Sequence, residues 1–319
     1  MRWALLLFLA LALVPPYAGI DRLPLISPHV RVSASPYVPA GGWPARVGAL
    51  EPVGGLVLTA DDPAFGSVSA LAVDRGVATL LGDGGNYVRI AIRDGRVATL
   101  GAGALRQGPG TGWAKESRDT ESLVLDSAAD RAWVGFERAN AVWRYSADLA
   151  TARAWSRPAT MRGWPFNGGA EAMVRTESRF LVFSESRRWR GRRGTREVLI
   201  FSGDPALAAT PAASFGLKMP PGYSVSDAAV LPGGDFLVLV RRWERVRFTA
   251  RLIRVAADAV RPGALVAGTE IARLAPPLLS ENAEALAITR ERGATMVWIA
   301  TDNDNWLLRP TLLLKFRLR

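Results

Sequence analysis

The chain has 319 residues, of which 49% are apolar, and 40 basic side chains against 29 acidic ones give it a formal net charge of +11. It contains no cysteine, which excludes disulfides, thiolate metal sites and cysteine nucleophiles. The single histidine, His29, lies in a Pro-rich stretch before the first regular strand. This argues against a Ser-His-Asp triad and against a multi-histidine metal centre. Any chemistry must therefore come from carboxylates, amides, hydroxyls, arginine and lysine.

The N-terminus has the pattern of an export signal. Arg2 is followed by an unbroken apolar run of twelve residues, from Trp3 to Val14. A transmembrane helix needs about 20 apolar residues, whereas the apolar part of an export signal has about 7–15. The run therefore predicts a signal peptide over residues 1–18, cut near Ala18, with an uncleaved membrane anchor as the alternative. Both place the rest of the chain in the periplasm or outside the cell, after a Pro-rich linker over residues 19–44.

The basic net charge bears on the choice of partner. An excess of arginine and lysine can favour anionic ligands, membranes or nucleic acid. Export argues against nucleic acid, and the sequence carries no nucleic-acid-binding motif. We therefore expect a small anionic substrate, no nucleic acid, membrane contact only through an uncleaved N-terminal segment, and a monomer.

From residue 45 onward, one segment recurs at regular intervals. An acidic or small polar residue precedes a run of small and branched apolar residues in five places, and its first residues are Ser69, Glu121, Glu171, Asp227 and Glu284. These lie 52, 50, 56 and 57 residues apart, and further short β-rich runs fill each interval. A period of about 40–50 residues with four strands per unit is typical of a β-propeller. The last unit ends with the chain and lacks a fourth strand, which residues 45–58 are free to supply.

These repeats predict the fold class and its boundaries. We expect an all-β protein with one β-propeller domain over residues 45–319. Five blades follow from the five repeats, with six as the alternative count. An N-terminal strand is expected to close the ring by completing the last blade.

Two sets of residues should meet at one mouth of this propeller. The first strand of a blade lies innermost and the second runs back beside it, so the start of one and the end of the other lie together. The residues just after the second strands are Asp83, Glu137, Glu185, Arg241 and Asp302. With the first residues of the five repeats, up to eight carboxylates should point to one end of the channel.

Carboxylates packed this closely must be protonated, paired with arginine or neutralised by a cation. Oxygen ligands without histidine or cysteine suit Ca²⁺ or Mg²⁺, and a flexible shell of six to eight oxygens suits Ca²⁺. We expect Ca²⁺ as the cofactor, and the candidate metal ligands are Glu121, Glu171, Glu284, Asp302 and Asn303. In the alternative interpretation, these residues cap turns and link neighbouring blades.

Cationic and tryptophan side chains are expected to form a wall above this acidic floor. The loops over residues 186–196 and 241–247 are rich in arginine and each carries a tryptophan, and Lys115 approaches the same rim. Arginine binds phosphate and carboxylate groups in a bidentate manner. Lys115, Arg188 and Arg241 are therefore the candidate substrate-binding residues. In the alternative interpretation, the arginines pair with nearby carboxylates or are solvated.

An ordered set of short motifs indicates a family. The motifs are Asp119-Thr120-Glu121-Ser122-Leu123, Asn167-Gly168-Gly169-Ala170-Glu171-Ala172, Glu281-Asn282-Ala283-Glu284-Ala285-Leu286-Ala287 and Thr301-Asp302-Asn303-Asp304-Asn305, followed by Arg309-Pro310-Thr311-Leu312. Over residues 45–319, the chain resembles the bacterial "esterase-like activity of phytase" family of phytase-like domain proteins. The resemblance implies an exported propeller that hydrolyses phosphate or carboxyl esters. The family commonly carries Asp-Asn-Asn where this chain has Asp302-Asn303-Asp304, which leaves the identity of the ligand there open.

The leading hypothesis is a cation-dependent ester hydrolase, either a phosphoesterase or an esterase. Glu137 or Glu185 would act as the general base next to a metal held by the other carboxylates. Two alternatives remain open at this point. One is a Ca²⁺-dependent lactonase that uses Glu284, and the other is a propeller that binds an anionic ligand or a protein without turnover.

Overall fold

The recurring segments fold into short antiparallel strands. The computed structural model describes residues 22–207, 212–244, 247–304 and 309–319, so the predicted signal peptide over residues 1–18 lies outside the described residues. The strands are β1 (Val32–Pro36), β2 (Leu50–Ala60), β3 (Val68–Asp74), β4 (Val77–Gly82), β5 (Asn86–Arg93), β6 (Arg96–Ala104), β7 (Thr120–Asp126), β8 (Arg131–Phe136), β9 (Ala141–Tyr145), β10 (Ala152–Ser156), β11 (Ala170–Arg175), β12 (Phe180–Ser184), β13 (Thr195–Phe201), β14 (Ala212–Lys218), β15 (Ser224–Val230), β16 (Phe236–Glu244), β17 (Arg247–Val255), β18 (Leu265–Val266), β19 (Thr269–Leu274), β20 (Asn282–Glu291), β21 (Ala294–Asp302) and β22 (Thr311–Leu318).

Helical structure is limited to 3-10 turns in the ranges that the structure describes. These turns are Lys115–Ser117, Ala159–Met161, Trp189–Gly191 and Ala257–Ala259. No helix among the described residues has the length and apolar character needed to cross a membrane.

The strands form five sheets that are arranged as the blades of a propeller. Blade one is β3-β4-β5-β6, blade two is β7-β8-β9-β10, and blade three is β11-β12-β13-β14 with β18 added in parallel to β14. Blade four is β15-β16-β17-β19, and blade five is β20-β21-β22-β2-β1. The innermost strands β3, β7, β11, β15 and β20 each contact the innermost strands of both neighbouring blades. The prediction of an all-β propeller with five blades is therefore confirmed.

Apolar side chains fill the space between every two neighbouring blades. Leu80 of blade one packs with Trp298 of blade five, and Phe183 of blade three packs with Phe236 of blade four. Three more clusters join blades one and two, two and three, and four and five. Burying one large apolar side chain contributes about 1.5–3 kcal/mol, so these clusters hold the blades around the central axis.

The N-terminal strands belong to the last blade. β2 pairs with β22 from Leu50 opposite Leu318 to Leu58 opposite Thr311. β1 pairs with β2 in turn, and Ile26 lies in the core between blades one and five. Part of the segment predicted as a linker over residues 19–44 is thus folded into the sheet and its core. The prediction of a linker is wrong for residues 26–36, whose prolines and polar residues hide the pattern of a strand.

Candidate functional site

The innermost strand of every blade carries a bulge at the same place. In each blade one residue of the first strand has no partner across the ladder to the second strand, and these residues are Ser69, Glu121, Glu171, Ser226 and Glu284. A bulge redirects the side chain of its extra residue. Four of these five residues, all but Ser226, line a single cavity at one end of the channel.

The residues that follow the second strands line the same cavity. They are Asp83, Glu137, Glu185, Arg241 and Asp302, as the repeat predicted. In each blade, the residue just before the bulge on the first strand pairs with a residue of the second strand. The cavity-lining residue is the next one along the chain after that partner. The fold therefore places the two sets side by side.

In blade four, the first-strand residue differs from the predicted one. The bulge lies at Ser226, whereas Asp227 is paired with Leu239 and does not line the cavity. The buried Asp227 carboxylate accepts hydrogen bonds from the backbone N–H groups of Ala228 and Leu286, which links blade four to blade five. Burial raises the pKa of Asp227 well above its ordinary value. The prediction that Asp227 points to the mouth is therefore wrong by one residue.

The cavity has a volume of about 470 Å³ and is rich in charge. Its carboxylates are Asp83, Asp119, Glu121, Glu137, Glu171, Glu185, Glu284, Asp302 and Asp304. Its cationic side chains are Lys115, Arg138, Arg241 and Arg242. Trp243 and Phe248 form an aromatic part of the rim, with their ring centroids 4.6 Å apart. The excess of carboxylates makes the cavity acidic, although the chain as a whole is basic.

On one side of the cavity, Lys115 and Arg138 hold two aspartates. The Lys115 ammonium lies 2.6 Å from the Asp83 carboxylate and 3.4 Å from that of Asp119. Arg138 contacts Asp119 through Nε at 2.7 Å and Glu116 through Nη1 at 3.0 Å. Asp119 is buried, and its Oδ1 has no hydrogen-bond partner among the described residues. We call Asp83, Lys115, Asp119, Glu121 and Glu137 the lysine side.

Glu137 belongs to two groups of three carboxylates. One oxygen each from Asp119, Glu121 and Glu137 lie within 4.8 Å of one another, and the same holds for Glu137, Glu171 and Glu185. Asp119 was not among the predicted ligands, although it lies two residues before Glu121 in the Asp119-Thr120-Glu121 motif. Of the predicted ligands, Glu121 belongs to the first group and Glu171 to the second, whereas Glu284 and Asp302 belong to neither.

On the other side, one guanidinium faces three carboxylates. Arg241 forms an ion pair with Glu284, and its Nη2 lies 3.4 Å from Glu185 and 3.6 Å from Glu171. Asn282 accepts a hydrogen bond from Arg241 and donates one of 2.7 Å to Glu284. Burial lowers the pKa of Arg241, but these carboxylates raise it more, so it stays charged. We call Arg241, Glu171, Glu185 and Glu284 the arginine side.

Two predicted site residues lie outside the lining of the cavity. Arg188 is exposed in the loop between β12 and β13. The side-chain oxygen of Asn303 accepts a hydrogen bond of 2.9 Å from the backbone N–H of Ser67, so it supports the chain between blades five and one. Lys115 and Arg241 do line the cavity, and both have carboxylate partners there.

The buried carboxylates have raised pKa values. Burial raises the pKa of Glu121 and Glu171 well above the ordinary carboxyl value, and the charges of Asp119 and Glu185 raise them further. Burial, followed by the charge of Asp119, raises the pKa of Glu137 to about 7. A carboxyl group with a pKa of about 7, as in Glu137, changes protonation near neutral pH, which suits proton transfer.

Burial also raises the pKa of two further carboxyl groups of the cavity, those of Asp83 and Asp302. Burial raises the pKa of Asp302 to about 7, and burial also raises that of Asp83 despite the nearby ammonium of Lys115. The pKa of Lys115 is raised in turn, because the attraction of Asp83 exceeds the cost of burial. Lys115 therefore remains a cation.

Two glycines beside the cavity, Gly168 and Gly169, keep the Glu137 carboxylate in place. Gly168 has φ +119°, and its backbone N–H donates to the Glu137 carboxylate. A Cβ on Gly169 would lie 2.2 Å from the Asn140 side-chain oxygen and 2.6 Å from the Glu137 carbonyl. Because L side chains rarely adopt this φ and no side chain fits at Gly169, glycine is required at both positions to hold Glu137 in place.

Comparisons with known proteins give one family match. The family model Phytase-like, described as "esterase-like activity of phytase", matches residues 63–305. No curated protein sequence matches the chain.

Solved structures resemble the chain only in outline. Myxococcus xanthus glutaminyl cyclase has a TM-score of 0.45 at 10% identity, with 80% of this chain and 92% of that chain covered. The PQQ-bound aldose sugar dehydrogenase of Streptomyces coelicolor has a TM-score of 0.47 at 13% identity, with 91% and 99% covered. The GH62 α-L-arabinofuranosidase catalytic domain of Coprinopsis cinerea has a TM-score of 0.46 at 14% identity, with 90% and 96% covered. TM-scores below 0.5 at such identities carry no argument about function.

The family match rests on far more of the chain than a local motif. Residues 63–305 run from just before blade one into the loop that follows β21, so they include four whole blades and two strands of the fifth. The ordered motifs around Glu121, Glu171, Glu284 and Asp302 all lie within them. The chain therefore belongs to the Phytase-like family.

Proposed function

We propose that this protein is an exported, cation-dependent hydrolase of phosphate or carboxyl esters, and that its cavity is the active site. The observation that carries the proposal is the pair of carboxylate groups that share Glu137. The family supports an ester substrate, since its description is esterase-like activity of phytase.

The donor set of the cavity fits a hard divalent cation. Ca²⁺ binds oxygen ligands at 2.3–2.6 Å, so two ligands of one ion lie up to about 5 Å apart. The separation of up to 4.8 Å among oxygens of Asp119, Glu121 and Glu137 agrees with this limit. Asp119 Oδ1 is buried and accepts no hydrogen bond, with the Lys115 ammonium 3.4 Å away as its ion-pair partner, and Glu121 forms no ion pair with any described residue. We propose that Asp119 and Glu121 hold Ca²⁺, with Glu137 beside the bound ion and Glu171 and Glu185 next to it.

A bound cation would supply positive charge that polarises the ester and offsets the negative charge of its oxygens. This charge is needed because the cavity has an excess of carboxylates. Each of its cationic side chains already pairs with a carboxylate, as Lys115 does with Asp83 and Arg241 with Glu284. An anionic ester would otherwise be repelled.

Glu137 has the properties of a general base. Its pKa of about 7 leaves it partly ionised at neutral pH, and the N–H of Gly168 fixes the orientation of its carboxylate. Proton transfer is most efficient when the pKa lies near the operating pH. Glu185 is half-buried beside Glu171 and Arg241 and is the second candidate for this role. We assign the anion-binding role to Lys115, whose side chain is 43% exposed, rather than to Arg188.

The test is an assay of the purified protein on an aryl phosphate and an aryl acetate. Each substrate is measured with added Ca²⁺ and with a chelator. We expect turnover that requires Ca²⁺ and falls at least a hundredfold in Glu137→Gln. The matched control is Glu177→Gln, which changes an exposed glutamate in the β11–β12 turn and should leave the rate unchanged. Ligand binding without turnover of either ester would instead identify a propeller that only binds.

We further propose that residues 1–18 direct export and that the protein acts as a monomer in the periplasm or outside the cell. The apolar run from Trp3 to Val14 supports export. Cell fractionation and N-terminal sequencing of the exported protein test this point. A mature chain that begins near Gly19 would support cleavage, and a chain recovered from the cytosol would contradict it.

A further inference from the structure

Large apolar side chains are exposed around the mouth of the cavity. Leu25, Trp113 and Phe166 are 55%, 53% and 61% exposed, and Trp243 on the cavity rim is 49% exposed. Trp113 lies in the loop between β6 and β7, and Phe166 lies in the loop between β10 and β11. Both loops lead into an innermost strand at the end where the cavity opens. Exposed aromatic residues on one face mark a surface that contacts a partner or a membrane.

Contacts connect these apolar residues to the cavity wall. The Arg138 guanidinium lies 5.3 Å from the centre of the Phe166 ring and also pairs with Glu116. Glu116 follows Trp113 by three residues, in the stretch that carries Lys115. Trp113 and Phe166 therefore flank the lysine side of the mouth. We call this end of the propeller, with its loops, the mouth face.

A basic loop lies on the same face. The connection between β12 and β13 starts at the cavity residue Glu185 and carries five exposed arginines. Arg187 pairs with Glu197, and the other four are Arg188, Arg190, Arg192 and Arg193. None of the four forms an ion pair with a carboxylate among the residues that the structure describes. Arg190 and Arg192 lie 4.5 and 5.3 Å from the centre of the Trp189 ring, which fixes the shape of the loop. The loop therefore offers positive charge to an external anionic surface.

The N-terminal segment also joins the molecule at this face. The Arg22 guanidinium lies 5.2 Å from the Trp113 ring, and the backbone N–H of Leu23 donates to the Trp113 carbonyl. The apolar run that ends at Val14 is separated from Arg22 by seven residues, which span at most about 25 Å. An apolar run retained as an anchor would hold the mouth face within about this distance of the membrane.

We propose that the mouth face docks on an anionic phospholipid bilayer. Tryptophan and phenylalanine insert at the level of the lipid headgroups, and arginines nearby are attracted to anionic lipid by about 1 kcal/mol each. The carboxylates of the cavity lie below this surface, and those of Asp83, Asp119 and Glu284 pair with Lys115, Arg138 and Arg241. In this orientation the cavity opens towards the bilayer. The docking does not depend on the proposed hydrolysis.

Sedimentation with lipid vesicles tests the proposal. The chain that starts at Arg22 retains all five sheets and all five core clusters, so it folds without the apolar run. We expect it to sediment with vesicles of equal parts phosphatidylglycerol and phosphatidylcholine, and to bind vesicles of phosphatidylcholine alone at least tenfold more weakly. Binding should fall as the salt concentration rises, because salt screens the arginines.

Matched variants separate this face from the rest of the surface. Trp113→Ala with Phe166→Ala should weaken binding to the mixed vesicles about tenfold or more, and Arg192→Gln with Arg193→Gln should weaken it about fivefold per charge. The apolar control is Val53→Ala, which shortens an apolar side chain that is 52% exposed beside the β5–β6 turn, at the end of the blades away from the mouth.

The charge control lies at the opposite face. Arg93→Gln with Arg96→Gln removes two exposed arginines from the β5–β6 hairpin, which turns at the end of the blade away from the mouth. Both controls should bind the mixed vesicles as the parent chain does, and circular dichroism confirms that each variant is folded. The proposal is overturned if the parent chain does not sediment with the mixed vesicles, or if the controls weaken binding as much as the mouth-face variants.

Discussion

On the arginine side of the cavity, a single guanidinium faces Glu171, Glu185 and Glu284, and its side chain is only 20% exposed. On the lysine side, an ammonium that is 43% exposed pairs with two aspartates, while Glu121 forms no ion pair with a described residue. Both sides use equivalent positions of the repeat, but Lys115 and Asp119 come from the loop between β6 and β7. The residue after the second strand is an arginine only in blade four, where the other blades have a carboxylate. This arginine, Arg241, is a buried cation for the carboxylates of blades three and five.

The difference teaches how one scaffold can hold clustered carboxylates in two ways. On the arginine side, the guanidinium of Arg241 reaches all three carboxylates, so each of them has a direct cationic partner. On the lysine side, Lys115 and Arg138 pair with Asp83 and Asp119, but no ion pair with a described residue reaches Glu121. A divalent cation would supply the missing positive charge there. The comparison predicts that the two sides respond differently to substitution, pH and Ca²⁺.

The largest effect is expected from removing the internal cation. Arg241→Met keeps most of the side-chain volume but leaves Glu171, Glu185 and Glu284 without a counter-charge. Breaking one partner of a buried ion pair costs about 3–5 kcal/mol. We expect the free energy of unfolding at pH 8, without divalent cations, to fall by about this amount, as measured by urea denaturation.

The neighbouring residue provides the control. Arg242 pairs with Glu244 near the surface, where an ion pair contributes about 0–1 kcal/mol, so Arg242→Met should change the stability by no more than this. If Arg241→Met cost less than Arg242→Met, the three carboxylates would be neutral without the guanidinium, and the arginine side would not differ from the lysine side as described.

The second prediction concerns pH and the lysine side. Glu137 has a pKa of about 7 when folded and an ordinary value of about 4.5 when unfolded. Between these values the folded state binds more protons, so stability falls as the pH rises from about 4.5 to about 7. Glu137→Gln, which mimics the protonated form, should be neutral at pH 4.5 and stabilising by on the order of 3 kcal/mol at pH 8.5 without Ca²⁺.

Urea denaturation at the two pH values measures this difference. Glu177→Gln changes an exposed glutamate and should shift stability equally at both. A Glu137→Gln variant that is less stable than the wild type at pH 8.5 would contradict the raised pKa, since the carboxylate would then be favourably charged.

The third prediction sharpens the assignment of the cation. Replacing a group that orients a metal ligand lowers metal affinity about tenfold or more. Replacing the ligand itself should lower the affinity at least as much. We therefore expect Glu121→Gln to lower the affinity for Ca²⁺ at least tenfold in isothermal titration calorimetry. Glu284→Gln should change it less than threefold, because Arg241 and Asn282 hold that carboxylate. Equal losses in the two variants would place the cation between the two sides.

The sequence alone allowed the fold to be predicted from its period. The repeat of about 50 residues indicated five blades, and the residues after the second strands were placed at the mouth in the correct register. Asp227 was misplaced by one residue because a bulge depends on pairing between two strands, and either Ser226 or Asp227 fits the pattern of one strand. The short strand β1 was missed because only four alternating residues, Val32 to Ser35, precede Pro36 in a proline-rich segment.

The site was less accessible to sequence reasoning than the fold. The period shows which residues are equivalent but gives no distances between side chains of different blades. The position of Arg241 was predicted, but its partners were not, because Glu171, Glu185 and Glu284 come from blades three and five. Asp119 was missed as a ligand because it precedes the strand that defines the repeat.

The smallest effect is expected from the cation of the lysine side. Lys115→Met removes the ammonium that lies 2.6 Å from Asp83, but water reaches this pair because the lysine side chain is 43% exposed. Exposed ion pairs contribute about 0–1 kcal/mol, so we expect a loss of about 1 kcal/mol at pH 8 in urea denaturation. Lys218→Met, at an exposed position on β14, is the control and should cost less. A loss as large as that of Arg241→Met would mean that burial of the cation does not distinguish the two sides, and that Lys115 is the internal counter-charge of Asp83 and Asp119.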